Sequence, residues 1–385
     1  MKILMVADVP PNPNSGAAGT EYQTMLALRE LGHTVDCIWE NDLRHWIRHG
    51  NLHYLLELPW AYRDAIRAHT TEEQYDVIHV NQPYAWLAAR DHRRFRRGGV
   101  FVNRSHGWET RVDDMLNPWR RQYGVPEWQP PRGVVGIPMK WWKHRYAAWC
   151  AHAVDGIIVS STGDREYIVD DYGLPQEKVA CIPQAAAAVF HESPVLPMSS
   201  ARLKRVLYVG TSAFVKGVHI VAAVFSRLSE QCPALSFTWC CPAEKFAECR
   251  LLLNPACRDK VRFVNWVTQE ELVRLYDENG IFLFPSLYEG FGKAPLEAMA
   301  RGMCVVTSDT GGMRDIIRNN DNGCLITVGD VDGFCREVDL VLSKLEIAGC
   351  ISRAAAKSAR EYSWARVADE TVSFYRQLLA SKQNE

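Results

Sequence analysis

The stretch PSLYEGFGKAPLEAMARG, residues 285–302, gives the strongest indication of the fold. It begins at the end of an apolar run, IFLFPS, that is typical of a buried strand, and it ends in a segment with helical periodicity. Glu289 lies in the glycine-broken loop between them, and Glu297 lies on the helix. This order predicts one repeat of a parallel α/β sheet, with polar side chains at the carboxyl end of a strand.

The two carboxylates of this stretch have different explanations. Pro295 suits the first helical position, which would make Glu297 the third, where a carboxylate interacts favourably with the helix dipole. Glu289 has no such structural role. Because Gly290 and Gly292 would let backbone amides reach the same ligand, we predict that Glu289 accepts hydrogen bonds from ligand hydroxyls, and a sugar fits this pattern.

Short β-branched runs alternate with amphipathic segments along the chain, which is typical of parallel sheets covered by helices. Six strands in each half predict two doubly wound Rossmann-like domains facing each other across a cleft. The predicted strands are 3–7, 35–39, 77–80, 100–103, 156–159, 179–182, 205–210, 236–240, 261–264, 281–285, 304–307 and 324–326. The predicted domains are 1–193 and 194–365, with a polar linker at 191–205 and a final helix, 366–385, packing back toward the first domain.

Two insertions in the first domain, 42–70 and 106–148, interrupt the alternation and are predicted as helices or loops. They contain Trp46, Trp60, Trp108, Trp119, Trp128, Trp141 and Trp142.

Composition excludes several classes of protein. The 385 residues are 47% hydrophobic and carry a net charge of −1, so no protein-wide field would attract nucleic acid or membrane. The N-terminal apolar run is too short for a signal peptide, and no segment approaches the ~20 apolar residues of a membrane span, so we expect a cytoplasmic protein. The twelve cysteines are scattered without CxxC pairs, which favours reduced thiols over disulfides or structural zinc.

Two segments of the first half combine glycine with polar residues after a predicted strand. In 14–28, Gly16 and Gly19 precede a helix predicted to begin near residue 20, and they suit close approach by an anion; a plain turn is the alternative. His106, beside Gly107, can donate to a ligand oxygen or transfer a proton; the alternative is a histidine bonded to nearby backbone.

One segment of the second half suits a diphosphate. Gly210 ends a predicted strand, and Lys216 with Gly217 precedes the next helix, so an ammonium group would lie beside helix-end amides. A solvated surface lysine is the alternative.

Together these segments resemble the retaining glycosyltransferases of family 4, which have the GT-B fold. The strongest likeness is FPSLYEGFGKAPLEAMARGMCVVTSDTGGMRDII, residues 284–317, and ELGHTVDCI and YDVIHVNQP match landmarks of the first domain. The resemblance implies an acceptor-binding first domain and a donor-binding second domain. It also implies catalysis with no bound metal and no cofactor besides the nucleotide-sugar substrate.

The resemblance implies a role for each matched residue. Glu297 would bind ribose hydroxyls, Glu289 the donor sugar, Lys216 the diphosphate, and His106 the transferring sugar. The predicted catalytic residues are His106, Lys216 and Glu289. The predicted donor-binding residues are Gly16, Gly19, Gly210, Thr211, Trp266, Val267, Gly290, Phe291, Gly292, Lys293, Ala294 and Glu297.

The sequence departs from the family pattern at three positions. Thr211 stands where many members have a second cation, and Gln184 begins a run of alanines in place of the usual Asn-Gly-Val-Asp. Lys293 replaces an apolar residue and is either an extra phosphate contact or a solvated side chain.

Residues 90–145 contain thirteen Lys and Arg against five acids, a local excess of eight positive charges, with tryptophans among them. This composition predicts either an anionic membrane contact at the inner face or an anionic acceptor; a solvated basic face is the alternative. No nucleic-acid-binding module accompanies the charge.

The resulting hypothesis is a retaining, metal-independent glycosyltransferase that moves a sugar from a UDP-sugar to a hydroxyl of a carbohydrate, lipid-linked or small-molecule acceptor, forming an α-glycosidic bond. UDP is chosen because it is common in the family. The alternatives are a nucleotide-sugar epimerase or hydrolase on the same fold, and a non-catalytic sugar-nucleotide binder.

Overall fold

The computed structural model describes residues 1–13, 16–95, 98–126 and 133–383, apart from the side chains of 133–135 and 137. The chain forms two compact units, one made of Met1–Gln184 with Trp364–Glu385 and the other of Ala185–Ser363. Each unit is built on one six-stranded parallel sheet, which confirms the predicted α/β class and the twelve predicted strands.

The sheet of the first unit has the strand order β2-β1-β3-β4-β5-β6. Its strands are β1 (Lys2–Val6), β2 (Thr34–Ile38), β3 (Val77–Asn81), β4 (Val100–Arg104), β5 (Gly156–Val159) and β6 (Val179–Cys181). Strands β3 (VIHVN) and β4 (VFVNR) are buried along their whole length, so neither shows a solvent-facing polar face, and their polar residues are buried with the apolar ones.

Helices cover this sheet and account for both insertions. They are α1 (Gly16–Glu30), α2 (Leu58–Glu72), α3 (Trp86–Arg94), α4 (Glu109–Tyr123), α5 (Gly133–Ala153) and α6 (Thr162–Tyr172). The 42–70 insertion includes α2 and a π-helical turn, His53–Glu57, directly before it. The 106–148 insertion forms α4 and most of α5.

The sheet of the second unit has the order β12-β11-β10-β7-β8-β9. Its strands are β7 (Arg205–Val209), β8 (Ser236–Cys240), β9 (Val261–Val264), β10 (Ile281–Phe284), β11 (Cys304–Ser308) and β12 (Cys324–Ile326). Its helices are α7 (Val189–Glu192), α8 (Ser200–Leu203), α9 (Val218–Gln231), α10 (Phe246–Leu252), α11 (Gln269–Glu278), α12 (Lys293–Ala300), α13 (Met313–Ile316), α14 (Val331–Ser343) and α15 (Leu345–Ala359).

The last helix, α16 (Trp364–Gln383), packs against α1 and β4 within the first unit. The twelve cysteines are all free thiols, as predicted.

The predicted domain boundary at residue 193 falls inside the second unit, which begins at Ala185. A buried arginine, Arg301, holds the expected linker there. Arg301 donates to the carbonyls of Phe190, Ser193 and Pro194. Because Arg301 lies at the end of α12, these bonds fix the polar Pro/Ser stretch to its own unit, a role that composition alone does not reveal.

Candidate functional site

The carboxyl ends of β7 and β10 bring together two predicted catalytic residues. Lys216 ends a short 3₁₀ turn after β7, and Glu289 lies in the loop after β10. The Lys216 Nζ atom lies 2.5 Å from Glu289 Oε1, which also accepts a 2.8 Å hydrogen bond from Ser286 Oγ. The Lys216 side chain is 27% exposed and that of Glu289 8%. The pair is therefore accessible mainly from the lysine side.

Two glycines let the backbone pack closely around this pair. At Gly217 the φ angle is +64°, and a Cβ atom would stand 2.0 Å from the carbonyl oxygen of Pro285. At Gly311 the φ angle is +53°, and a Cβ atom would stand 1.6 Å from the carbonyl oxygen of Glu289. A side chain at either position would displace the loop that holds the carboxylate.

Helix α12 begins earlier than predicted, at Lys293, with Gly292 as its N-cap at φ +102°. Pro295 is therefore the third helical residue, not the first. Glu297 lies beyond the first turn, so the helix dipole no longer explains it. The prediction of these two positions was wrong because the left-handed conformation of Gly292 starts the helix directly after the loop.

Glu297 is instead held by Tyr276 of α11, whose hydroxyl donates a 3.1 Å hydrogen bond to Oε2. Burial raises the pKa of the Glu297 carboxyl, and the charge of Lys293 together with the Tyr276 bond opposes this shift. Burial also lowers the pKa of Lys293, opposed by Glu297. Lys293 is thus a partly buried side chain next to the carboxylate, which does not fit a fully solvated lysine.

The remaining donor-binding predictions lie around these groups or further along the sheet edge. Thr211 follows Gly210 and β7, and its carbonyl accepts a 3.0 Å hydrogen bond from the Tyr208 hydroxyl. Phe291 is buried, with its ring 6.2 Å from that of Tyr362, so its side chain belongs to the core. Gly290 is also buried in this loop, and Ala294 is the second residue of α12.

Trp266 and Val267 follow β9, the edge strand, which β8 separates from β7. Trp266 is 47% exposed. About half of the Trp266 side chain is therefore exposed to solvent at the edge of the sheet.

In the first unit, His106 follows β4 and contacts the first turns of α1. Its Nε2 atom lies 2.8 Å from Oε1 of Glu21, and Gln184 Nε2 lies 3.3 Å from its Nδ1. Thr20 Oγ1 donates a 3.0 Å hydrogen bond to Oε1 of Gln184. Gln184 thus helps to position His106.

Glu21 is almost completely buried. Burial acts to raise the pKa of its carboxyl, but the hydrogen bonds and charges of His106 and His79 outweigh this and lower it strongly. Helix α1 begins at Gly16 and not near residue 20 as predicted, so Gly16 and Gly19 lie in its first turn and Glu21 lies within the helix.

Deeper in the same unit lie charged groups that sequence reasoning missed. His79 Nδ1 lies 2.5 Å from the Tyr375 hydroxyl of α16, and Arg104 Nη1 donates a 3.1 Å hydrogen bond to Thr24 Oγ1. Burial lowers the pKa of Arg104, opposed by Glu21 and Tyr375. The polar residues within the predicted strands β3 and β4 are the feature of the sequence from which this buried polar cluster could have been predicted.

The basic segment 90–145 is only partly a surface feature. Arg104 and Trp108 are fully buried, whereas Trp141 is 55% and Trp142 41% exposed. Of the residues that define this segment, Arg96, Arg97, Glu127, Trp128 and Arg132 lie outside the described residues. Among the helices that the structure describes, none is long and apolar enough to cross a bilayer.

Comparison with known proteins gives two family matches that together span most of the chain. Residues 199–358 match the model of "Glycosyl transferases group 1", and residues 15–186 match that of "Glycosyltransferase Family 4". An uncharacterized glycosyltransferase of Methanocaldococcus jannaschii is 33% identical over 45% of this chain. The matched region covers 45% of that relative's own length, so the chain spans about half of it.

Two solved structures match nearly the whole chain in fold. Sucrose-phosphate synthase of Thermosynechococcus elongatus has a TM-score of 0.74 at 20% identity, with 99% of both chains covered. HepE of Anabaena, solved in complex with UDP, has a TM-score of 0.69 at 16% identity, covering 97% of this chain and 99% of the other.

Proposed function

The chain belongs to the group 1, family 4 glycosyltransferases, which have the GT-B fold, and we propose that it transfers a sugar from a nucleoside-diphosphate sugar to a hydroxyl acceptor. The observation that supports this most directly is the Lys216–Glu289 pair, with Glu297 on the helix that follows. The proposal assigns the donor to the second unit and the acceptor to the first.

In this proposal the donor is held by groups of opposite character. Lys216 and the first amides of α12 neutralise the diphosphate, since helix N-termini favour anions. Glu297 accepts hydrogen bonds from the ribose hydroxyls. Glu289 accepts hydrogen bonds from the sugar once the diphosphate has drawn Lys216 away from it.

The chemical step is the departure of a diphosphate, whose negative charge develops as the glycosidic bond breaks. Lys216 stabilises that charge, the kind of electrostatic assistance on which transfer reactions depend. The leaving phosphate oxygen takes the proton of the acceptor hydroxyl on the same face of the sugar, and the new bond keeps the α configuration. Glu289 acts by positioning and charge.

His106 is proposed to contact the transferring sugar. Its Nε2 faces the ionised Glu21 and its Nδ1 faces the Gln184 amide, so the ring is held from both sides. Gln184 can therefore tune the orientation of His106 in this chain.

UDP is the proposed nucleotide. Its support is the likeness in fold to HepE, which was solved with UDP, and its frequency in the family. Incubation of the purified chain with UDP-sugars and a panel of hydroxyl acceptors tests the proposal. We expect that UDP is released only when an acceptor is present. We also expect that the proton coupling constants of the product show an α-glycosidic bond.

The same assay separates the alternatives. Turnover of donor alone to an isomeric nucleotide sugar or a free sugar would indicate an epimerase or hydrolase. Saturable donor binding without turnover for any acceptor would indicate a binding protein.

An anionic acceptor or membrane surface is proposed for α5. Trp141 and Trp142 are exposed there, and the guanidinium of Arg145 lies 5.7 Å from the Trp141 ring centroid. Tryptophan with arginine suits an anionic interface. Co-sedimentation with anionic vesicles at low salt tests the membrane.

We expect membrane binding that a Trp141→Ala/Trp142→Ala variant loses. Trp60→Ala is the matched control, because Trp60 is also exposed and Arg63 lies 4.4 Å from its ring centroid on α2. Absence of wild-type binding would leave a soluble anionic acceptor as the partner.

A further inference from the structure

Three histidines converge on one buried carboxylate in the first unit, and none of these four residues is among those assigned to sugar transfer. Asp8 follows β1 and is 7% exposed. His45 Nε2 lies 3.1 Å from Asp8 Oδ1, and the Nε2 atoms of His49 and His53 lie 3.1 and 3.2 Å from Oδ2. The rings of His45 and His53 stack with centroids 4.5 Å apart, so both present Nε2 toward the same carboxylate.

The other nitrogen of His53 has its own partner. Nδ1 lies 2.9 Å from Oε2 of Glu57. The same oxygen accepts a 2.9 Å hydrogen bond from the amide of Ile47, and Oε1 accepts a 2.6 Å hydrogen bond from the amide of Trp46. In this arrangement a carboxylate accepts a hydrogen bond from Nδ1–H, and Nε2 is left to bind another group. The same arrangement orients histidine ligands of metal ions.

Hydrogen bonding alone does not account for the cluster. A neutral His53 has one N–H and cannot donate to both Glu57 and Asp8. Asp8 Oδ1 is buried and has no hydrogen-bond partner among the described residues, although His45 Nε2 is 3.1 Å away. In the neutral tautomer that donates from Nδ1–H to Glu57, the Nε2 atom of the fully buried His53 carries a lone pair beside the Asp8 carboxylate, and two such electron-rich atoms can share a cation.

The distances suit ligands of one ion. In a tetrahedral site with metal–ligand bonds of about 2.0–2.1 Å, neighbouring ligand atoms stand about 3.3 Å apart. His45 Nε2 lies 3.1 Å from Oδ1 of Asp8 and His53 Nε2 lies 3.2 Å from Oδ2, so each nitrogen stands close to this distance from one oxygen of the carboxylate. A further distance agrees: when one ligand atom is taken from each of Asp8, His45 and His53, the three atoms all lie within 4.8 Å of one another.

The local backbone supports the same interpretation. His53 begins and Glu57 ends a π-helical turn, a rare conformation that occurs mostly at functional sites. Because the turn places both side chains on one side of the chain, it fixes the ring of His53 between Glu57 and Asp8.

We propose that Asp8, His45 and His53 bind a divalent transition-metal ion such as Zn²⁺, with His49 available as the fourth ligand and Glu57 orienting His53. Imidazole with one carboxylate is a donor set typical of Zn²⁺ and unlike the all-oxygen sets that Mg²⁺ prefers. The site is independent of the proposed transfer reaction, whose residues it does not include.

Calorimetric titration of the full-length chain, stripped with chelator, tests this with ZnCl₂ as the probe. We expect one Zn²⁺ per chain, no competition from excess Mg²⁺, and a visible absorption band of a low-coordinate site when Co²⁺ replaces Zn²⁺. His45→Ala should abolish this binding, and because the His45 side chain is 26% exposed the variant should fold. Glu57→Gln should weaken the affinity by about 10–100-fold.

His69→Ala is the matched control, since His69 is an exposed histidine of α2 outside the cluster, and its affinity should equal that of the wild type. Two results would overturn the proposal. One is a wild-type chain that takes up no Zn²⁺ at stoichiometric concentrations. The other is binding that survives in the Asp8→Asn/His45→Ala variant with its circular dichroism unchanged.

Discussion

The Lys216 ammonium and the Glu289 carboxylate, which the sequence assigned to different parts of a ligand, bind each other at 2.5 Å in the second unit. The exposure of the lysine, 27%, exceeds that of the carboxylate, so an incoming anion meets the lysine first. In the proposed function, a diphosphate has to compete with Glu289 for this cation. We therefore expect donor binding to be coupled to the state of this ion pair.

Removing either partner should abolish most of the activity. Lys216→Ala and Glu289→Ala should each lower kcat by about 100–1000-fold, because each removes a group that interacts with charge or hydroxyls in the transition state. Steady-state assays of UDP release measure this. Lys245→Ala, which breaks only the exposed pair with Glu248, should be unaffected. Wild-type turnover in either Lys216→Ala or Glu289→Ala would show that the ion pair takes no part in the reaction.

Neutralising the carboxylate should separate binding from turnover. In Glu289→Gln the lysine no longer has its competing anion, so UDP without a sugar should bind about 2–5-fold more tightly, as expected for releasing a partly exposed pair worth about 0.5–1 kcal/mol. Turnover of the UDP-sugar should still fall. Calorimetry with UDP measures the first effect, and equal or weaker UDP binding would contradict the coupling.

Close packing at Gly217 should make it intolerant of any side chain. Gly217→Ala should destabilise the second unit by about 2–5 kcal/mol, from left-handed strain of about 1–2 kcal/mol plus the displaced Pro285 carbonyl. Gly173→Ala is the control, because Gly173 has φ +59° but open space around its Cβ position. Gly173→Ala should lower the stability of the first unit by the left-handed strain alone, measured in the unfolding transition of that unit. Equal losses for the two variants would mean that the contact with Pro285 relaxes freely.

The sequence predicted all twelve strands because each is a short β-branched run, such as Val77–Asn81, bounded by polar residues. Glycines also mark the two loops that carry Lys216 and Glu289, whose side chains the structure brings together, and their catalytic role stays a prediction. It could not predict the start of α12, which depends on the left-handed φ of Gly292. Nor could it predict that Glu21 faces His106, since residues on α1 and after β4 meet only through the tertiary fold.

The histidine cluster illustrates the same limit. His45, His49, His53 and Glu57 recur at four-residue spacing, a visible signal, but the first two lie outside any helix and the last two in a π-helical turn. An α-helical template would therefore misplace them. The common partner of the three histidines, Asp8, is far away in the sequence and follows β1.

Donor affinity should depend on pH through Glu297. Because burial raises the pKa of this carboxyl, donor binding should weaken on acidification at a pH above the ordinary glutamate range. Tyr276→Phe removes a hydrogen bond that lowers the pKa of Glu297, so this loss should move to higher pH. UDP dissociation constants across a pH series measure it. In Glu297→Gln, which has no titrating group at this position, the loss of UDP affinity at acid pH should disappear. If the variant still loses affinity at acid pH, another group must cause the pH dependence.

Stability in acid should depend on Glu21. Its pKa is lower in the folded chain than in the unfolded chain, so its stabilising contribution is complete above the unfolded pKa, 4.5, and decreases as the pH falls below that value toward the folded pKa. Urea midpoints of the wild type should therefore fall more steeply between pH 5 and pH 3 than those of Glu21→Gln. At pH 7 the variant should be less stable by about 1–3 kcal/mol, because His106 and His79 lose an ionised acceptor. Glu30→Gln, an exposed change at the end of the same helix, should follow the wild-type slope. A Glu21→Gln curve parallel to the wild type would show that the buried carboxylate contributes nothing to the acid sensitivity.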